Sequence, residues 1–362
     1  MVKNVKTKIL YLPSTPLNIL VSIAHAVHFS SKQSAQLILI DQKTMEKNIY
    51  FHVLKTWLNS PFLKVDIILG LEKGSRKIQE RKKNFLKLSN LLNAFPAEII
   101  AVGSDRRIEF QYLMNLRVKS LKTVEGWYLD DGLYSYAGRP YKWFKDKVNS
   151  LLKKLAYGLW WQEPSTIGAS AWIKQVWLFR PKNAVITLQA KQVNELEADW
   201  FVSPEIKEFS TEICTKFGLE KESLEELKRV GVFLLVPHPN NIKKMVGYEQ
   251  RVHQFLAKLH RQGIRVAIKY HPRTEELDLL GLKEKYQALI IPSGLAFEFI
   301  LPFLKESTKV VGDVGTALLT AQWLRTDLNV YAVLAKHDAF QNSFREIYSQ
   351  LGVRIISDFE LI

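Results

Sequence analysis

Short apolar runs alternate with helix-period segments along most of the chain. Ile9 to Leu12, Ala35 to Ile40, Val65 to Leu69, Ile99 to Val102 and Thr123 to Leu129 have strand length, and residues 17–29, 43–58, 76–93 and 106–117 between them repeat apolar positions at helical spacing. Strand followed by helix, repeated, predicts a parallel sheet covered on both faces. A long, Trp-rich stretch from 137 to 200 interrupts the rhythm and has little periodicity. The alternation then restarts. Val232 to Val236, Val266 to Tyr270, Ala288 to Ile291, Lys309 to Val311, Val330 to Val333 and Arg354 to Ile356 form a second set of strands, with helices expected at 245–262, 294–305 and 316–325. The expectation is an α/β protein of two Rossmann-like halves, residues 1–200 and 201–362.

In open α/β sheets ligands bind beyond the carboxyl ends of the strands, so chemistry is expected in the residues that directly follow each strand. YLDDGLYSY, 128–136, places Asp130 and Asp131 after a strand, with Gly132 permitting a tight turn. Adjacent carboxylates repel, and one that is partly desolvated can take a proton from an attacking hydroxyl; Asp-Asp-Gly is also an ordinary turn sequence. KYHPRTEE, 269–276, ends another strand, and Pro272 biases His271 away from the helical region. Lys269 and Arg273 make that neighbourhood favourable for an anion such as a departing phosphate. His238, followed by Pro239, occupies a similar place but lacks basic neighbours.

PSGLAFEFILPF, 292–303, runs from Pro292 and carries Glu298 on what reads as an apolar helix. A buried carboxylate needs a partner, either a ribose diol or an internal Lys or Arg. KVVGDVGTALLTAQWL, 309–324, reads as strand, glycine turn and a helix starting near Thr316, with Gly315 allowing a phosphate to approach free amides.

Composition narrows the classes. The single cysteine, Cys214, forms no internal disulfide, no Cys/His cluster has zinc spacing, and a reducing, cytoplasmic compartment is expected. No run of about 18 apolar residues is present to span a membrane, and Pro13 to Pro16 break the leader-like start into a strand, a loop and a helix. There is no GxGxxG, P-loop, HExxH, GxSxG or Asp-x-Asp, which argues against dinucleotide oxidoreductases, P-loop ATPases and metal-dependent glycosyltransferases. The net charge of +15 calls for an anionic partner: nucleic acid, membrane or substrate.

Taken in order, these segments resemble the bacterial sialyltransferases, in particular the polysialyltransferase and lipooligosaccharide sialyltransferase group with the GT-B fold. An Asp/Glu-Asp/Glu-Gly motif is matched by Asp130, Asp131 and Gly132, and a Lys-x-His-Pro motif by Lys269, His271 and Pro272. Pro292 to Glu298 match a Pro…Glu segment, Gly315, Thr316, Ala317 and Leu318 a Ser/Thr turn leading into Ala-Leu, and YLPSTPLN at 11–18 the opening strand and loop. The resemblance implies two Rossmann-like domains facing across a cleft, the first binding acceptor, with Ser14, Thr15 and His238 as further cleft residues. It implies that Asp130 is the general base supported by Asp131. His271 would protonate or hydrogen-bond the phosphate of CMP, Glu298 would hold ribose or cytosine, and Thr316 the phosphate. Lys269, Pro272, Arg273, Pro292 and Gly315 would complete the donor site. The implied reaction is inverting and needs neither metal nor cofactor. It moves a sialic or related ulosonic acid from a CMP-activated donor to an oligosaccharide or lipid-linked glycan of capsule or lipopolysaccharide. One departure stands out: the family commonly has two Ser/Thr side chains at the phosphate turn, and the first is here Gly315.

Other readings keep the scaffold but use CMP-Kdo, CMP-pseudaminic or CMP-legionaminic acid, or an NDP-hexose. A non-enzyme reading, a basic nucleic-acid- or membrane-binding protein, lacks any nucleic-acid motif, and Asp130 with Asp131 would repel an anionic polymer; no nucleic-acid partner is expected. The basic aromatic segment 139–162 places Phe144, Val148, Leu151, Leu152, Leu155 and Leu159 on one face and lysines mainly elsewhere, with Trp160 and Trp161 at its end. It reads either as a peripheral helix attracted to the anionic inner face of the cytoplasmic membrane or as a surface helix packed on its own core.

Overall fold

The computed structural model describes residues 6–120, 123–335 and 338–362. The first five residues of the leader-like start therefore lie outside the described residues. The chain divides into two compact units, Met1–Ile206 and Lys207–Ile362, with the division inside a helix, Pro204–Lys216, rather than at residue 200.

Among the described residues the first unit builds a seven-stranded parallel sheet from β1 (Thr7–Leu12), β2 (Gln33–Gln42), β3 (Phe62–Leu69), β4 (Ile99–Val102), β5 (Glu125–Leu129), β6 (Ile173–Leu178) and β7 (Gln192–Glu195). Their order is β3-β2-β1-β4-β5-β6-β7. Sequence order reverses between β1 and β4, so the carboxyl ends of β1, β4 and β5 form the natural ligand position. The central strands carry no surface on either face: Tyr11, Leu12, Ile100, Ala101 and Tyr128 are all buried, as expected where helices cover both sides. Of the tryptophans in 137–200, Trp161, Trp177 and Trp200 are buried in this core. Trp177 and Trp200 pack with Trp127 around His25, whose ring lies 4.6 Å from that of Trp177. Burial pushes the His25 imidazole down to about 3, so it is a neutral core group.

The second unit pairs β8 (Val232–Leu235), β9 (Val266–Lys269), β10 (Leu289–Ile291), β11 (Lys309–Gly312), β12 (Asn329–Val333) and β13 (Arg354–Ile356) in the order β10-β9-β8-β11-β12-β13, again all parallel. Here the reversal falls between β8 and β11. Leu234, Ile268 and Val311 meet Val252, Phe255 and Leu256 of helix Tyr248–Arg261 in one buried cluster. One expected element is absent: residues 294–305 form two short 3₁₀ turns, Phe297–Phe299 and Leu301–Phe303, and not an α-helix. Pro302 has no amide to donate, and Ile300 and Phe303 bond back only three residues, to Phe297 and Ile300, both at 2.9 Å.

Candidate active site

In the first unit, the turn after β5 separates the two aspartates completely. Gly132 adopts φ 101°, a left-handed conformation that closes the turn on Asp130. Asp130 is buried and accepts four hydrogen bonds: from the amides of Gly132 (2.9 Å) and Phe179 (3.1 Å), from Ser135 Oγ (2.6 Å), and from the Tyr136 hydroxyl. Those donors occupy its lone pairs and tie the β5 turn to the end of β6. The expected base role of Asp130 does not fit this environment, because no acceptor oxygen is left to face a ligand.

Asp131 is half-buried and open. Its Oδ1 accepts from Asn18 Nδ2 at 2.8 Å and, at the limit of bonding distance, from Thr15 Oγ1 at 3.5 Å. Burial pushes this carboxyl up to about 7, against the opposing pull of the Asn18 hydrogen bond and the Arg107 charge. Helix Pro16–His28 supplies these partners because Thr15 is its N-cap, accepting from the Asn18 amide at 3.2 Å, with Pro16 in the first turn. Gly103, after β4, leaves room for Asn18, whose side chain would collide with any Cβ there. Arg107 is anchored by Asp41, which also binds Arg81. Ser14 reaches Asn18 with its hydroxyl at 3.4 Å. The strand-end rule marked Asp131 and the resemblance marked Ser14 and Thr15; neither marked Asn18 or Arg107, although Arg107 follows β4 closely enough for the same rule to apply.

In the second unit, the carboxyl ends of β9, β8 and β11 are contiguous. His271 follows β9 and His238 follows β8, and their rings meet edge to face at 4.8 Å. His271 Nδ1 accepts from the Arg273 amide at 3.1 Å, and His238 Nδ1 from the Asn240 amide at 3.0 Å. An Nδ1 that accepts leaves Nε2 as the donor nitrogen of each ring. Burial first, then the neighbouring His238, Arg273 and Lys269, push His271 down to about 4. It is a neutral hydrogen-bond donor at pH 7 rather than a stored imidazolium. Pro272 and Arg273 are exposed beside it.

Three expected ligands are used internally. Lys269 is buried, and its Nζ donates to the carbonyls of Ser293 (2.9 Å) and Tyr270 (3.2 Å), with its charge pushed down to about 8 by burial. This clamps the turn holding Pro292 to the end of β9 and engages two of the three ammonium donors. Glu298 accepts from Thr320 Oγ1 at 3.1 Å and lies in the field of Lys269; burial raises its pKa. Thr320 is thus an internal partner of one oxygen of that carboxylate. The Gly315 amide donates to the Tyr348 hydroxyl at 2.6 Å, which returns a bond to the Gly315 carbonyl at 3.0 Å, so this amide is not free for phosphate. Thr316 opens helix Thr316–Leu324 beside it. Asp313, two residues before Gly315 and not singled out by the sequence, is half-buried and pushed up to about 7 by burial.

Cys214 is buried and its thiol is pushed up to about 12, which leaves it inert. No group of three His, Cys, Asp or Glu side chains capable of holding a metal occurs among the described residues.

The sequence model of one family, described as Alpha-2,8-polysialyltransferase (POLYST), matches residues 10–334. The chain belongs to that family. It is accordingly a glycosyltransferase of the sialyltransferase-like kind, and the match spans the Asp-Asp-Gly turn, both histidines and the Gly315 turn. No curated protein matches by sequence. Among solved structures, the alpha/beta-galactoside alpha-2,3-sialyltransferase of Photobacterium phosphoreum is similar, with TM-score 0.58 and 12% identity over 98% of this chain and 99% of that one. The GT-B domain of the sialyltransferase of Photobacterium damselae gives 0.55 and 13% over 96% and 97%. The UDP-GlcNAc 2-epimerase of Methanocaldococcus jannaschii gives 0.55 and 13% over 98% and 90%. At such identities these likenesses establish the GT-B fold and nothing finer.

Proposed function

We propose that this polysialyltransferase-family protein is an inverting, metal-independent transferase that moves a sialic acid or related ulosonic acid from a CMP-activated donor to a hydroxyl of a bacterial surface glycan. The observation that carries the reading is Asp131: an open carboxyl at the carboxyl edge of the first sheet, pushed up to about 7 and held in place by Asn18 and Thr15. A base with that value is ionised enough at neutral pH to act and basic enough to accept a proton as an alcohol attacks.

In the proposed step the acceptor oxygen attacks the anomeric carbon while Asp131 takes its proton. The bond from that carbon to the phosphate oxygen breaks, and CMP leaves with the electron pair. His271 donates its Nε2 proton as a hydrogen bond to the developing phosphate charge, and the exposed Arg273 adds a positive charge nearby. Thr316 and the start of helix Thr316–Leu324 receive the phosphate. Because the leaving group is already a good anion, the side chains described suffice without a metal. His238, in ring contact with His271, orients it or shares the phosphate. The first unit is assigned to acceptor and the second to donor. The glycan being a membrane-borne capsule or lipopolysaccharide precursor, the protein is assigned to the inner face of the cytoplasmic membrane.

The test is CMP release from a panel of CMP-sialic acid, CMP-Kdo, CMP-pseudaminic and CMP-legionaminic acid, with UDP-hexoses as controls, in the presence of oligosaccharide acceptors and excess chelator. Release from one CMP-sugar, unchanged by chelator, and a fall of about 10²–10⁴-fold for Asp131→Asn and about tenfold or more for His271→Ala are the expected results. Wild-type turnover in Asp131→Asn sinks the mechanism, and release only from a UDP-sugar sinks the donor assignment.

A further inference from the structure

Helix Trp143–Tyr157 is built inside out. An ordinary surface helix turns its apolar stripe to the core and its charges to water. This one sets Asp146, Lys153 and Tyr157 against the body of the first unit. Asp146 is buried and accepts from Arg139 Nη1 at 3.0 Å and from the Lys142 amide at 2.7 Å. Lys153 donates to the nearly buried Glu163 at 3.1 Å, and Glu163 is also held by Arg106 at 2.7 Å. Tyr157 packs edge-on to Phe85 of helix Gly74–Ala94. Charge pairs, not apolar burial, dock the helix.

The opposite face carries the apolar stripe into solvent. Phe144 is 75% exposed, Leu151 59%, Leu155 76% and Leu159 87%, with Val148 and Leu152 between them also exposed. A stripe this long is uncommon on a protein surface without an occupant. The flanks indicate which occupant. Lys145 lies along one border and Lys147 and Lys154 along the other, and Lys147 Nζ sits 4.1 Å over the ring of exposed Trp143. The only acidic side chain of the helix, Asp146, is turned inward and paired. The neighbouring helix Gly74–Ala94 adds exposed Lys82 and Lys83 and the 70% exposed Leu86. An apolar stripe bordered by lysines and one interfacial aromatic suits the boundary of an anionic bilayer, where acyl chains take the stripe and headgroups take the ammonium groups. Of the two readings of this segment, the one in which its apolar face packs on the protein's own core does not fit these exposures. The two terminal tryptophans are not part of the stripe: Trp161 is buried under Lys153, and Trp160, half-buried, packs against Phe85 and Tyr112.

We infer that helix Trp143–Tyr157 is an in-plane membrane anchor that inserts its Phe144–Leu159 stripe into anionic lipid and so presents the first unit to acceptors at the bilayer surface. The inference deepens the proposed membrane location and rests on that reading. It is tested by co-sedimentation of the full chain with phosphatidylglycerol/phosphatidylcholine vesicles and with pure phosphatidylcholine vesicles. Binding to the anionic vesicles is expected to fall about tenfold or more in Phe144→Asp/Leu155→Asp and about a hundredfold in Lys145→Glu/Lys147→Glu/Lys154→Glu, and to be lost in high salt. Circular dichroism controls for folding. Equal binding by wild type and variants, or no binding by wild type, overturns the anchor. So does a wild-type dimer in sedimentation velocity that Phe144→Asp/Leu155→Asp converts to monomer without any vesicle binding, because the stripe then belongs to a second copy. CMP release with a soluble oligosaccharide acceptor is measured on the same variants. It is expected to stay at the wild-type rate, which separates failure of the anchor from failure of the proposed reaction.

Discussion

Asp130 and Asp131 are neighbours in sequence, yet the fold gives them unlike tasks. Their adjacency after an apolar strand made the pair legible as a site, but not which member is open. That depends on Ser135 and Tyr136, which return from the following turn to cap Asp130, and on Asn18, which arrives from the first turn of the distant helix Pro16–His28 to hold Asp131. The separation can be measured through pH. A carboxyl raised in the folded state binds its proton there more tightly than in the unfolded chain, so the contribution of Asp131 is favourable at low pH and is lost as pH rises from the ordinary carboxylate range through about 7. Activity moves the opposite way, since the base must be ionised. Asp131→Asn should therefore abolish most turnover while raising stability at pH 8 by about 1–2 kcal/mol relative to pH 5, a modest figure because the side chain is partly open to solvent. Asp130→Asn should cost about 1–3 kcal/mol at any neutral pH, since an amide nitrogen facing four donors leaves hydrogen bonds unmade. Thermal melts of both variants at the two pH values decide it: a stabilised Asp130→Asn reverses the assignment of roles.

Elements were easiest to read where burial on both faces makes a strand apolar throughout. β4 reads IIAV and β9 VAIK, and both follow directly from the run. β7 reads QVNE, half-exposed at the sheet edge, and offers one apolar residue, so no pattern marks it. The apolar run at 294–305 misled for the complementary reason: apolarity reports burial, not helical period, and Pro302 settles the backbone. The turn after β11 was legible as a phosphate position, whereas its closure by Tyr348, from helix Arg345–Gln350, lies 33 residues away in sequence. That closure leads to a test. Gly315 has φ −175°, open to any residue, and a Cβ there meets nothing within 4 Å. Nothing local requires glycine. Gly315→Ser should fold with unchanged stability and, if the proposed CMP-sugar binds at this turn, lower its KM severalfold through the added hydroxyl. Tyr348→Phe removes both bonds to Gly315, should cost about 1–2 kcal/mol, and should raise the same KM with less effect on kcat. Steady-state kinetics with denaturant melts tests both; a destabilised Gly315→Ser or an unchanged KM in both variants removes this turn from the donor site.

At the scale of the whole molecule, the charge of +15 named an anionic partner without locating it, and the structure distributes the basic groups among separate tasks. Lys269, which is buried, and Lys153, which is half-buried, count in the composition as free cations but are bonded to carbonyls or a carboxylate, while Arg273 stays exposed beside His271 and the outward lysines border the apolar stripe of helix Trp143–Tyr157. The two sheets have separate cores, so each unit can answer a ligand independently. A ligand that binds only the folded state stabilises it by about 2.7 kcal/mol at a hundredfold excess over Kd, and that gain is confined first to the segments it contacts. If the second unit holds the donor, CMP should slow amide exchange in the loops after β8, β9 and β11, near His238, His271 and Gly315, and leave the segments bearing Asn18, Gly103 and Asp131 unchanged. An oligosaccharide acceptor should do the reverse. Hydrogen-exchange mass spectrometry with each ligand alone reads both at once. Protection by CMP in the loops after β1, β4 and β5 would transfer the donor site to the first unit, taking Asp131 with it from base to nucleotide ligand.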